Sequence, residues 1–154
     1  MASFSQTPYL AEITAVLHKD LPLTRAMGVQ LTCWDGATVS LTAPLEPNHN
    51  HTATAFGGSI ASLSILAGYT ALYLLLRDRD VRAHILIQKS AIEFLRPIDT
   101  DLTASATLPR PETLNPFLQG LQQKRRGRVT LESRVLAKDA LSATHTGLYV
   151  AILS

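Results

Sequence analysis

The chain has 154 residues, 46% of them hydrophobic and 17% charged, with a formal charge of +2. That is too apolar for a disordered chain, long enough for one domain (residues 1–154) with a sizeable core, and too weakly charged to argue for nucleic acid as a partner. The single cysteine, Cys33, rules out an intrachain disulfide framework and a multi-cysteine zinc site.

No basic stretch followed by an apolar core opens the chain, so no secretory signal is expected and the cytoplasm is the default location. Residues 1–22 read as an N-terminal helical segment, with Leu10, Ile13, Val16 and Leu17 at helical spacing between Pro8 and Lys19. Val29–Trp34 and Ala37–Pro44 read as strands flanking Asp35-Gly36, a two-residue hairpin signal. Val39, Leu41 and Ala43 alternate with Thr38, Ser40 and Thr42, as a strand with one buried face requires.

From Pro47 to Leu76 there is no Asp, Glu, Lys or Arg. Phe56–Leu76 is long enough to cross a bilayer. It nevertheless carries Ser59, Ser62, Ser64, Tyr69, Thr70 and Tyr73, and the amphipathic strands around it need something apolar to cover. We therefore read it as a buried central helix, not a membrane span. Arg77-Asp78-Arg79-Asp80 forms its solvated exit, and strands follow at about Ala83–Leu95, Asp101–Leu108, Gly127–Ala137 and Leu141–Leu153. Glu112–Arg126 reads as a loop with a short helical turn. A helix laid on one face of a largely antiparallel sheet is an α+β layout.

The polar stretch Asn48-His49-Asn50-His51-Thr52-Ala53-Thr54, running through Ala55-Phe56-Gly57-Gly58-Ser59 into the helix, is the best candidate for a chemical site. A helix start offers free N–H groups and the positive end of the dipole, which suit an anion or a developing oxyanion. Gly57 and Gly58 either let a carbonyl approach the backbone or let the helix start pack closely on the sheet. Asn48 and Asn50 either meet substrate or close a turn. His49 and His51, two apart, point to opposite sides if extended, so at most one faces the site. Thr54 and Ser59 are substrate contacts or helix caps. No Asp, Glu or Cys nearby completes a metal-ligand set, so neither metal nor other cofactor is expected.

Other groups have plainer readings. Glu93, beside Lys89 and Arg96 in an otherwise apolar strand, reads as one half of an interstrand or intersubunit ion pair. Cys33, alternating with Leu31, reads as a packed small residue.

Asn50 stands six residues before Phe56-Gly57-Gly58, and Ala91-Ile92-Glu93-Phe94-Leu95-Arg96-Pro97 is followed by Asp101-Leu102-Thr103-Ala104. Both features resemble small acyl-CoA thioesterases of the hotdog fold, in which a curved antiparallel sheet wraps one long helix. The string from Asn48 to Ser59 is more similar still to the thioesterase-like domain forming the C-terminal half of bacterial YiiD-type proteins, where an acetyltransferase-like domain can precede it. The resemblance runs from about Leu23 to Ile152. It implies hydrolysis of an acyl-CoA or acyl carrier protein thioester by a homodimer or larger assembly. The acyl site would lie where subunits meet, the Asn48–Thr54 loop of one facing the central helix of the other. Leu63, Ile65, Leu66 and Tyr69 would then line the acyl chain, with packing in the core the plainer reading of any one of them. Asn48, His49, Thr54, Phe56 and Ser59 would touch substrate. Lys124-Arg125-Arg126-Gly127-Arg128 is either a solvated turn or a contact for coenzyme A phosphates, Arg125 and Arg126 foremost.

Two positions depart from that pattern. Phe56 stands where many relatives have His, and Ile65 where many carry a helix Asp or Glu as nucleophile or base. The N–H groups of Gly57 and Gly58 suit the oxyanion of thioester hydrolysis. His51, then His49, are the imidazoles available as base, with Asn50 orienting water or thioester. No serine shows a base beside it in sequence, so direct attack by water is expected. A non-catalytic acyl-thioester binding domain, a dehydratase or hydratase, and a purely structural domain are alternatives that the same fold accommodates.

Overall fold

Alternating apolar residues in the strands and one apolar helix settle the arrangement. The computed structural model describes residues 6–154; residues 1–5 of the N-terminal segment lie outside it. The elements are α1 (Gln6–Asp20), α2 (Pro22–Ala26), β1 (Gln30–Trp34), β2 (Thr38–Ala43), α3 (Gly57–Arg77), β3 (Ala83–Phe94), β4 (Leu102–Thr107), α4 (Pro111–Lys124), β5 (Arg126–Ala137) and β6 (Ala140–Leu153). The strands form one antiparallel sheet in the order β1-β2-β4-β5-β6-β3, so β1 and β3 are its edges.

α3 packs along the face of this sheet, against β2 to β6. Leu63, Ala67, Ala71, Leu72 and Leu74 are fully buried on it, between Val39, Leu41, Ala104 and Val135 from the strands. Each large apolar side chain so buried contributes about 1.5–3 kcal/mol. The helix is long and apolar enough to cross a membrane by length and composition, yet most of it is buried inside the fold. Between its exposed first turn and Arg77, the stripe Ala61, Ser62, Ile65, Tyr69 and Tyr73 is partly uncovered, with the Tyr69 and Tyr73 rings stacked 6.3 Å apart.

The β1–β2 hairpin turns at Gly36, whose φ of +94° suits glycine, and the Asp35 carboxylate accepts N–H bonds from Ala37 and Thr38 at 2.9 and 2.7 Å. Those two bonds hold the Asp35 carboxyl below its usual range.

Two expectations are corrected. Glu112–Arg126 is not a loop with a short turn: α4 runs for 14 residues there. Pro116 and Gly120 argue locally against a helix. The 114, 117, 118, 121 spacing nonetheless buries Phe117 and Leu121 and packs Leu114 and Leu118 on the core, and this burial outweighs propensity. Within the chain, Glu93 makes no ion pair: among the described residues the salt bridge formed is Arg77–Glu12, with 2.6 Å between Nη2 and Oε1.

Candidate active site

The segment between β2 and α3 is built by its own side chains. A 3-10 turn at Glu46–Asn48 brings Asn48 under α2, where it is 2% exposed. Its side-chain amide donates to the carbonyls of Met27 and Pro44 at 2.8 and 2.7 Å, and its main-chain carbonyl accepts from Phe56 N–H at 2.7 Å. Asn48 therefore anchors the loop and does not face the open site. The loop then doubles back, His49 bridging to Ala55. Asn50 Oδ1 accepts from Thr52 N–H, Thr52 Oγ1 and Thr54 N–H at 2.8, 2.8 and 3.1 Å, while Nδ2 donates to Thr54 Oγ1 at 2.9 Å. Four bonds make Asn50 the clasp of the loop.

His49 and His51 are both exposed. His49 Nδ1 donates to the Asn50 carbonyl at 2.8 Å, which leaves its Nε2 free toward solvent. Thr54 is held by Asn50, and the cap position of α3 is Phe56, with no side-chain cap from Thr54 or Ser59.

The first ladder bond of α3 runs from Ile60 N–H to Phe56 C=O at 3.0 Å, so the N–H groups of Gly57, Gly58 and Ser59 precede the ladder. Gly57 begins beneath the Phe94 ring and Gly58 beneath the Phe56 ring. Both rings are more than half exposed, Phe56 at 56% and Phe94 at 55%. A cleft of about 360 Å³ opens here between Thr54, Gly57, Ile60, Phe94 and Arg96. The glycines thus place backbone donors beside two exposed aromatic rings.

Arg125 and Arg126 sit elsewhere in the same protomer. Arg125 closes α4 in a left-handed conformation, and Arg126 pairs with Ile152, which in turn pairs with His84. Phe94 lies ten residue steps along β3 from His84, roughly 30 Å of strand. A second region, a groove of about 320 Å³, runs between α3 and β3, lined by Ile65, Leu66, Tyr69, Ile85, Ile87 and Leu23. Leu63 is fully buried on the sheet side and does not reach it.

Sequence reasoning passed over a polar chain through the core. Ser133 Oγ donates to the Ser64 carbonyl at 2.8 Å and lies 3.1 Å from His145 Nδ1; His145 Nε2 lies 2.8 Å from Ser90 Oγ. His145 is 2% exposed, and burial lowers its pKa from the ordinary imidazole value. The missed signal is one of phase: Ser133 falls between Leu131 and Val135, and His145 between Ala143 and Tyr149, at positions that otherwise bury apolar groups.

A six-stranded antiparallel sheet curved around one long central helix is the architecture of hotdog-type thioesterases. A Chlorobaculum tepidum protein "with unknown function" is similar at 24% identity and a TM-score of 0.89, each chain covered in full. A "putative thioesterase" from Shewanella oneidensis is 26% identical, with a TM-score of 0.84 over 93% of this chain and 96% of that one. A "probable thioesterase" from Pseudomonas aeruginosa shares 20% identity, with a TM-score of 0.77 over 94% and 96%. The chain belongs to the YiiD_C family, described as "Putative thioesterase (yiiD_Cterm)", which matches residues 10–153. That membership places it among thioester hydrolases.

Proposed function

We propose that the protein hydrolyses the thioester of an acyl-CoA or acyl carrier protein in the cytoplasm, water being the final acyl acceptor. The observation that carries this reading is the helix start. The N–H groups of Gly57 and Gly58 stand ahead of the α3 ladder, at the positive end of a 21-residue helix, beside an open cleft. As the thioester carbonyl is attacked its oxygen gains charge, and fixed donors there stabilise that charge without reorganising. His51 lies exposed on the same loop, and its imidazole is the base proposed to activate the water. The apolar groove along Ile65, Leu66 and Tyr69 suits an acyl chain.

The working unit is proposed to be a homodimer. β3 is a 12-residue edge strand, and Leu86 on it is 59% exposed; such an edge invites pairing with a second copy. A two-fold pairing is antiparallel and carries the Ala83 end of one β3 toward the Phe94 end of the other. The partner's Arg125 and Arg126 then move toward this helix start, where they suit coenzyme A phosphates. Leu86→Lys, placing a charge in the exposed apolar edge, should shift the dimer toward monomer in sedimentation velocity.

The test is thiol release from a series of acyl-CoAs of graded chain length. Turnover with a chain-length optimum supports the reading. Saturable binding of the same acyl-CoAs without thiol release would instead establish the binding domain, a reading favoured by Ile65 at the place of the family's carboxylate.

A further inference from the structure

The hydrogen-bond directions along Ser64, Ser133, His145 and Ser90 fix a tautomer. The Ser64 carbonyl can only accept, so the 2.8 Å contact uses the single hydroxyl hydrogen of Ser133. Ser133 Oγ then has only lone pairs to offer His145, and the 3.1 Å contact requires hydrogen on Nδ1. A neutral imidazole protonated at Nδ1 carries its lone pair on Nε2, and that lone pair points at the Ser90 hydroxyl 2.8 Å away. Burial lowers the pKa of the ring and so favours its neutral form.

Ser90 itself is exposed. It shares a face of β3 with Ile92 and Phe94, beyond an irregularity in the ladder between Ile87 and Lys89. Phe94 lies against Gly57 on that face, so the face looks toward α3. Ser90 therefore stands between the apolar groove ending at Ile87 and the cleft at Phe94. It lies four residues, or roughly 13 Å of strand, from Phe94, so a carbonyl held on Ser90 draws on donors other than the Gly57 and Gly58 N–H groups of its own protomer. A nucleophile within hydrogen-bond reach of a base, the base oriented by a third group, is the general signature of an activated serine.

We propose that Ser90 is a nucleophile, activated by His145 and held in register by Ser133 as a positioning residue, and that it takes up the acyl group of a thioester or activated ester. Ser90 Oγ bonds to the carbonyl carbon as its proton passes to His145 Nε2. The carbon–sulfur bond then breaks, and the leaving thiolate takes the proton from Nε2. Water attacks the resulting serine ester, gives a proton to Nε2, and frees the carboxylic acid as Ser90 recovers its hydrogen. The nature of the acyl donor rests on the thioester reading above; the reactivity of Ser90 stands apart from it.

His145 meets Ser90 from β3 and Ser133 from β5; Ser133 in turn bonds the Ser64 carbonyl of α3, and the Tyr149 ring of its own strand lies on the same side of Gly147. None is charged near neutral pH. Glu132 and Arg134 alternate to the other face of β5. The reactivity of Ser90 should therefore follow the protonation of His145 alone.

The experiment uses a fluorophosphonate ester, a serine-directed electrophile independent of any thioester, read by intact mass and peptide mapping. One adduct on Ser90 is expected, absent in Ser90→Ala and slowed about a hundredfold in His145→Gln. Ser133→Ala should move the acid limb of the labelling-rate profile to lower pH, because the imidazolium loses its acceptor. A merely structural role for Ser133 would leave that limb in place. Thermal melts confirm that each variant is folded. A folded wild-type protein that leaves Ser90 unlabelled overturns the proposal, as does Ser90→Ala hydrolysing acyl-CoA at the wild-type rate. A labelled Ser90 in a protein that turns over no acyl-CoA upholds the nucleophile and removes the thioesterase reading instead.

Discussion

The phenol of Tyr149 donates to the carbonyl oxygen of Ile65, 2.7 Å away, in the middle of α3. This bond ties the central helix to β6, and burial raises the Tyr149 pKa well above the usual phenol value. The phenol also occupies the space a Cβ at Gly68 would need, so the absent side chain at Gly68 is what lets it approach the helix. Tyr149→Phe deletes one bond to a carbonyl that keeps its helical donor, and should cost about 1 kcal/mol. Gly68→Ala must displace a fully buried ring and should cost about 1–3 kcal/mol. Urea midpoints would check the order; Gly68→Ala as stable as wild type would show that the ring is free to move.

Acid sensitivity follows from the other buried polar group. His145 has a folded-state pKa below its unfolded value near 6.5, so the unfolded chain binds more protons at mildly acid pH. Its contribution is intact above about pH 6.5, is lost as pH falls from there to the lowered folded value, and changes no further below that. His145→Gln should flatten this segment of the stability profile, measured as urea midpoints between pH 7.5 and 5. An unchanged slope in the variant would assign the sensitivity to another group.

Strand phase and the uncharged helix made most of the fold legible in the sequence. Val39, Leu41 and Ala43 declared the buried face of β2, and the run from Pro47 to Leu76 lacked any charge that could not be buried. α4 was hidden because Pro116 and Gly120 lower local propensity, and only burial of Phe117 and Leu121 restores it. The candidate site was half legible. A polar loop before paired glycines marks a helix start, but the bonds that turn Asn48 into an anchor and Asn50 into a clasp depend on where Met27 and Thr54 lie. Direct water attack was expected because no serine had a visible base. His145 lies 55 residues beyond Ser90, and only the β3–β6 pairing brings the two together.

Asn50 offers a test of clasp against substrate contact. Three of its four bonds are accepted at Oδ1, and aspartate keeps all three. Asn50→Asp should therefore keep the loop closed and lose less turnover than Asn50→Ala, although its charge ahead of the α3 start opposes a developing oxyanion there. Asn50→Ala frees the loop and should lose about tenfold or more, on the scale of a misplaced site. Equal losses in the two variants would place the Asn50 amide on the substrate.

Gly57 allows one backbone donor to be removed by an ordinary substitution. It is the first residue of α3, where proline is favoured because that N–H has no helical acceptor. Phe56 before it has φ −66° and ψ 134°, the extended conformation a following proline demands. A Cβ at Gly57 would meet only the Phe94 ring, at an ordinary 3.6 Å. Gly57→Pro should therefore fold with wild-type stability while lacking a single N–H at the helix start. If that N–H holds the oxyanion, kcat falls about 10²–10³-fold with KM little changed, as when one donor is removed from such a hole. Turnover equal to wild type would move the oxyanion away from Gly57 and leave Gly58 and Ser59 as the donors at this helix start.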